Sequence, residues 1–214
     1  MLSAPCFCAQ SAVTTNLPTA SPYLVTHWTT ENGLPQNSVT ALAQTPDGYL
    51  WIGTFGGLAR FDGVKFTTFN TGNTPALPSN RITTLQVGRD GTLWIGAETG
   101  EVTRYRQGVF SLFTRLQPAE ADSKTIRTIY EDRAGNVWVG ADATGLRRYV
   151  AGDAARMEVY DQRQGLPASV VNQVCEDRDG KLWVCDAAGL ALFHEPQSGE
   201  PGKFTIELAN LAPQ

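Results

Sequence analysis

Four tryptophans, Trp51, Trp94, Trp138 and Trp183, stand 43, 44 and 45 residues apart. A near-constant period of this length is the mark of stacked repeats: solenoids, propellers or helical arrays. Each tryptophan sits in a copy of one phrase: "DGYLWIGTFGGLARFDG" from Asp47, "DGTLWIGAETGEVTRYRQG" from Asp90, "AGNVWVGADATGLRRYVAG" from Ala134 and "DGKLWVCDAAGLALFH" from Asp179. Any fold for this chain must give four equivalent places to this phrase.

The first unit divides into four strand-sized segments: "SVTALAQ" (Ser38 to Gln44), "YLWIGT", "LARF" and "KFTTFN", parted by "TPDG", Phe55-Gly56-Gly57 and Asp62-Gly63. Runs rich in Val, Ile, Thr and aromatics between Gly and Asp turns read as an antiparallel meander, which is one propeller blade. Strand b is apolar on both alternating sets, so the sheet is expected to be covered on both faces, as a blade is by its neighbours. Gly and Pro recur every ten or so residues and no segment carries a 3.6-residue apolar stripe, which disfavours helical repeats.

The linkers recur as well. "LPQN" (Leu34 to Asn37), "LPSN" (Leu77 to Asn80) and "LPAS" (Leu166 to Ser169) precede strand a in three units, and the third unit has "EADSK" (Glu120 to Lys124) instead. The spacing predicts blades over about 37–70, 80–115, 124–161 and 169–208, with strand b at 49–54, 92–97, 136–141 and 181–186. "YLVTHWTTENGLPQNS" (Tyr23 to Ser38) has the form of an outer strand d with its exit linker. The fold expected is therefore all-β: four four-stranded antiparallel blades in an incomplete, open-arc propeller, plus one N-terminal outer strand. The fourth unit owns a strand d in "KFTIEL", so the leading strand finds no vacancy there. Its partner is expected in later blades, and the uncovered end blades are expected to self-associate through their apolar faces.

Net charge is −4 over 214 residues with no Lys/Arg run, so nucleic acid has no electrostatic footprint. No apolar run approaches the ~20 residues of a membrane helix. Residues 1–21 read as a leader and flexible lead-in. The small residues of "MLSAPCFCAQ" resemble the end of a secretory cleavage site without its basic and apolar regions, so both a truncated signal peptide and a cytoplasmic leader stay open. Cys185 replaces the glycine of the repeat found at Gly53, Gly96 and Gly140, and Cys175 precedes it. Two buried thiols are expected, with a cross-strand disulfide as the alternative; the spacing does not suggest zinc.

Asp-Gly-x-Leu-Trp-Ile-Gly-Thr, followed by Gly-Leu and an Arg-aromatic pair, resembles the two-component-regulator propeller repeat. The second copy departs at Gly100-Glu101, the fourth at Cys185 and Leu192-Phe193. The resemblance spans about residues 23 to 208. It implies a periplasmic, non-catalytic sensor region of a bacterial histidine kinase or diguanylate cyclase receptor, feeding a phosphorelay or similar output encoded outside this chain. It also implies a seven-bladed ring, which would need ~130 further residues at this period. The partner implied is a small-molecule or glycan ligand; no cofactor is expected.

No Gly-x-Ser-x-Gly, His-x-x-Glu-His or phosphate loop occurs, and only His27 and His194 are present. A propeller lyase or lactonase stays as one alternative, a free-standing protein-interaction propeller as another. The four tryptophans are expected to be packing residues between sheets rather than ligand-stacking ones. The acidic turns, such as "EDRDG" (Glu176 to Gly180), offer too few oxygens for calcium, which takes six to eight, and are read as hairpin chemistry. In a meander the b–c loops and the linkers share one end. That end gathers Gln36, Asn37, Phe55, Asn80, Glu98, Lys124 and Asp142 as the expected ligand-binding face around the channel mouth.

Overall fold

The computed structural model describes residues 25–116, 124–153, 156–194 and 205–208. Among the described residues, sixteen strands form four antiparallel meanders in chain order. The first blade is β1 (Val39–Gln44), β2 (Leu50–Thr54), β3 (Gly57–Phe61) and β4 (Phe66–Phe69); the second is β5 (Ile82–Val87), β6 (Leu93–Ala97), β7 (Glu101–Arg106) and β8 (Val109–Arg115). The third is β9 (Ile126–Glu131), β10 (Val137–Ala141), β11 (Leu146–Tyr149) and β12 (Met157–Tyr160); the fourth is β13 (Val171–Glu176), β14 (Leu182–Asp186), β15 (Gly189–His194) and β16 (Thr205–Leu208). Each expected strand b is present and begins one residue later than the sequence suggested.

The first strands β1, β5, β9 and β13 pack in succession along the inner edge, as propeller blades do. Every one of them carries a bulge at its second residue: Thr40, Thr83, Arg127 and Asn172. A bulge re-aims its side chain, and Thr40 and Thr83 use this to donate to the carbonyls of Ile82 and Ile126 in the following blade.

The core lies between sheets. Trp138 from blade 3 packs with Val171, Val174, Leu182, Val184 and Phe193 from blade 4. Trp94 and Trp51 do the same one and two joints earlier. The recurring glycine of strand b is required by this stacking. A Cβ on Gly53 would lie 2.9 Å from Ile82 Cγ2, one on Gly96 2.6 Å from Ile126 Cγ2, and one on Gly140 2.6 Å from Val171 Cγ1. The leucines of the Leu-Pro linkers, Leu34, Leu77 and Leu166, are buried plugs beneath the blades. In the third linker, where that motif is missing, Leu116 is buried in the equivalent core.

The ring is open. In blades 2 to 4 the β-branched residue that opens strand a (Ile82, Ile126, Val171) is fully buried, while its counterpart Val39 in blade 1 is 45% exposed and the nearby Leu42 61% exposed. Val25–Thr29 pair with no strand, as expected of an outer strand without a partner, and Tyr23 and Leu24 lie outside the described residues. Trp28 packs instead on Phe61 and Phe66, at ring-centroid distances of 5.1 and 6.2 Å. The leader, residues 1–21, also lies outside the described residues.

Two expectations need correction at the other end. Trp51, Trp94 and Trp138 are buried, but Trp183 is only half-buried. Cys175 and Cys185 are free and exposed rather than buried. All three point to the outward face of blade 4, which no following sheet covers among the described residues. Burial at these positions comes from the next blade, so the strand's own pattern cannot supply it.

Candidate functional site between the blades

At the end that carries the b–c loops and linkers, the seven residues expected to bind ligand form a series of local contacts. The Arg81 guanidinium lies 4.3 Å from the Phe55 ring and pairs with Glu98, joining the first two blades. Asp142 pairs with Arg127 in blade 3. Lys124 packs over Gly100, and Gln36 over Gly56. Asn37 and Asn80 accept from the backbone N–H groups of Thr30 and Thr71, at 2.8 Å in both cases, and so order the linkers that carry the Leu-Pro motif.

The opposite end, made by the a–b and c–d turns, holds the cavities described next. It is organised by the indole N–H of each tryptophan. A residue six positions earlier supplies the acceptor in three blades: Thr45 Oγ1 for Trp51 at 3.0 Å, Asp132 Oδ2 for Trp138 at 2.8 Å and Asp177 Oδ2 for Trp183 at 2.8 Å. In blade 2 that position is Gly88, and Glu131 of blade 3 reaches into the vacated space to accept from Trp94 at 3.2 Å. The acidic turns thus serve their own hairpins and the indoles. Asp132 also accepts from the backbone and side-chain nitrogens of Asn136, and Asp177 from the backbone of Asp179 and Lys181.

Strand c places an arginine directly opposite each of the first three tryptophans: Arg60, Arg104 and Arg148, with Leu192 in the fourth blade. Between blades 1 and 2 the crevice is filled. Arg60 lies 4.3 Å from the Tyr49 ring and donates to Tyr105 Oη at 3.3 Å, and Phe69 and Phe110 close the rest. Between blades 2 and 3 the same frame is hollow. Arg104 turns to Ser111 Oγ at 3.0 Å, Thr92 stands where blade 1 has Tyr49, and Met157 where blade 2 has Phe110. The result is a cavity of about 400 Å³ walled by Trp94, Phe113 and Tyr149, with Asp90, Arg104 and Glu131 at its edge. A second cavity of about 300 Å³ lies between blades 3 and 4, among Asp132, Trp138, Arg148, Glu176, Lys181 and His194. None of the seven residues anticipated from the sequence lines either cavity.

The second cavity is bridged by charge. Arg133 donates to the carbonyls of Arg178 and Asp177 at 3.0 and 2.8 Å, and its backbone N–H donates to Glu176 at 3.1 Å. Arg89 of blade 2 comes within 3.9 Å of the same Glu176 carboxylate, skipping a blade. Burial, then the neighbouring Glu158 carboxylate, pushes the Tyr160 hydroxyl well above the usual phenol range.

The Asp177 carboxyl is held below the ordinary carboxylate range, first by the Trp183 indole N–H and then by the Lys181 backbone N–H. A lowered folded value means stability that is complete above the unfolded value of ~3.9 and is lost as pH falls through the folded one. Wild type is therefore expected to lose more stability between pH 5 and 2 than Asp177→Asn, which should be weaker at pH 7 and flatter below pH 4. Urea midpoints across that range measure it. Equal slopes for the two proteins would remove Asp177 from the acid response.

The arrangement is a β-propeller arc whose joints share one Trp–acceptor–Arg frame and differ in whether they are filled. The chain is built of repeats of the two component regulator propeller family, which match at residues 33–56, 76–99, 121–143 and 165–187. Similar solved structures include the extracellular domains of two hybrid two component systems from B. thetaiotaomicron. One is 21% identical over 89% of this chain with a TM-score of 0.67, the other 22% identical over 75% with 0.64. The chain spans 29% and 21% of their lengths. A virginiamycin B lyase from Staphylococcus aureus is 16% identical over 81% of this chain and 56% of its own, with a TM-score of 0.56. At these identities the likeness concerns the fold. No curated protein matches the sequence. Among the described residues, no helix is long and apolar enough to cross a membrane.

Proposed function

We propose that this chain is the ligand-sensing propeller region of a bacterial two-component signalling receptor, located in the periplasm, and that it acts by binding rather than catalysis. The hollow joint between blades 2 and 3 carries the reading: the same frame that is plugged by Arg60 and Phe110 one joint earlier is open here, aromatic-walled and edged by charged groups. Its volume of about 400 Å³ falls in the range of small-ligand sites. A ligand seated there touches two blades at once, so its binding energy bears on their relative angle, which is the quantity a sensor can transmit.

The test is a panel of small metabolites and oligosaccharides, followed by melting temperature and by tryptophan fluorescence. A ligand at a hundred times its Kd should add roughly 2.7 kcal/mol to stability. Phe113→Ala and Tyr149→Phe are expected to weaken that ligand, the first more than the second. Binding untouched by both would move the site to the linker end with Phe55, Glu98 and Asp142. Turnover of the bound molecule would favour a propeller lyase instead.

A further inference from the structure

Two of the three joints hold a guanidinium against the tryptophan of the repeat. Arg60 Cζ lies 5.7 Å from the Trp51 ring and 4.3 Å from the Tyr49 ring, and Arg148 Cζ lies 5.5 Å from the Trp138 ring. Each also has an acceptor: Tyr105 Oη for Arg60 and the Glu158 carboxylate for Arg148, at 3.3 Å in both cases. The negative face of an aromatic ring attracts a cation, and more strongly where water is excluded. The frame thus accommodates a flat cation twice, using the protein's own side chains.

Between blades 2 and 3 the aromatic frame is kept and the cation is missing. Trp94 is flanked by Phe113 at 4.9 Å, as Trp51 is by Phe69 at 5.6 Å, and Phe113 meets Tyr149 at 5.0 Å. Arg104 shares the register of Arg60 and Arg148, but it is tied to Ser111 and makes no contact with the Trp94 ring among the described residues. Tyr149, the counterpart of Tyr105, turns its hydroxyl to Thr114 at 3.0 Å. Two carboxylates stand at the edge of the cavity of about 400 Å³. Asp90 is paired with Arg106 at 3.0 Å, whereas Glu131 makes no ion pair among the described residues and uses only Oε2, on the Trp94 indole N–H. We infer, resting on the reading of this joint as the ligand site, that its ligand is an organic cation. A guanidinium or alkylammonium group takes the place over Trp94 that Arg60 and Arg148 fill over Trp51 and Trp138, with Glu131 as its counter-charge. Arg104 at the rim is exposed, so solvent and salt screen its repulsion. A carboxylate in the same place would meet Glu131 and the negative faces of the rings.

The test uses propylguanidinium, the end of an arginine side chain as a free molecule, beside its neutral isostere propylurea and the anion butyrate. The full chain is titrated with each at one ionic strength, and the Trp94 indole N–H is followed by two-dimensional proton–nitrogen NMR. That signal is expected to shift saturably with propylguanidinium alone. Glu131→Gln keeps an acceptor for the indole and removes the charge, so it should weaken the cation roughly threefold or more. Phe113→Ala removes a wall and should weaken it as well; thermal melting checks that both variants fold. Saturable shifts with propylurea or butyrate at equal or lower concentration would overturn the cation and leave the joint a ligand site. No shift at Trp94 with any of the three would also overturn it, and the metabolite panel alone would then judge the joint. Propylguanidinium binding unchanged in Glu131→Gln would overturn it too, since the counter-charge would lie elsewhere.

Discussion

Replacing Trp138 with alanine is expected to remove ~3–5 kcal/mol of stability, the range for deleting a large buried aromatic. The indole is about 1% exposed, contacts Tyr160 of its own blade and Phe193 across the joint between blades 3 and 4, and donates to Asp132. The substitution therefore leaves a cavity and takes from the buried Asp132 Oδ2 one of its two donors, the Asn136 amide remaining. Trp183→Ala is the internal comparison. The same residue type with the same kind of acceptor is half-buried there, so its loss should cost clearly less. Chemical denaturation of the two variants measures the difference. Equal losses would mean that the tryptophans act within their own blades rather than between them.

Gly140→Ala is expected to destabilise by ~1–3 kcal/mol, although alanine is ordinarily the better residue in a strand. The added methyl would stand 2.6 Å from Val171 Cγ1 and 2.7 Å from Thr128 Cγ2. Both neighbours are β-branched and stiff about χ1, and they belong to different blades, so relief requires the sheets to part. The same change at Gly48, which has nothing within 4 Å of a Cβ but holds a φ of +89°, isolates backbone strain from packing. A neutral Gly140→Ala would show that the joints yield more easily than their spacing suggests.

Most of the fold was legible because each repeat states it again. One "LWIG" phrase is an ambiguous short apolar run; four in phase fix strand b and its turns to within a residue or two. What could not be read was whatever depends on the neighbouring sheet. Cys185 and Trp183 occupy positions that are buried in other blades, and only the absence of a covering sheet exposes them. The bulges at Thr40 and Thr83 have no signature in the alternation of strand a, since a threonine there suits either face. Leu116 replaces the leucine of the linker motif without its proline, so the third linker looked like a departure while the core position was kept.

The candidate site was legible only in part. Topology identified which loops share an end, and the structure places Phe55, Glu98 and Asp142 on that end in cross-blade or local pairs. The hollow joints lie at the other end, and their opening turns on details outside any motif. Arg60 and Arg104 are the same residue at the same register. One finds Tyr49 and Tyr105 and fills its crevice; the other faces Thr92, turns to Ser111 and leaves a cavity. A signal did exist in the arginines recurring nine or ten residues after three of the tryptophans and in the fourth blade's Leu192.

The open arc sets a gradient of local stability along the chain. Among the described residues four sheets meet at three joints, so blades 2 and 3 are each clamped from both sides and the other two from one. In an array whose energy resides in nearest-neighbour interfaces, fraying starts at the ends and the middle melts last. Amide protons of β6 and β10 should then outlast those of β2 and β14 in exchange. The hollow joint between blades 2 and 3 lies in that best-protected middle, where small displacements are least blurred by local opening.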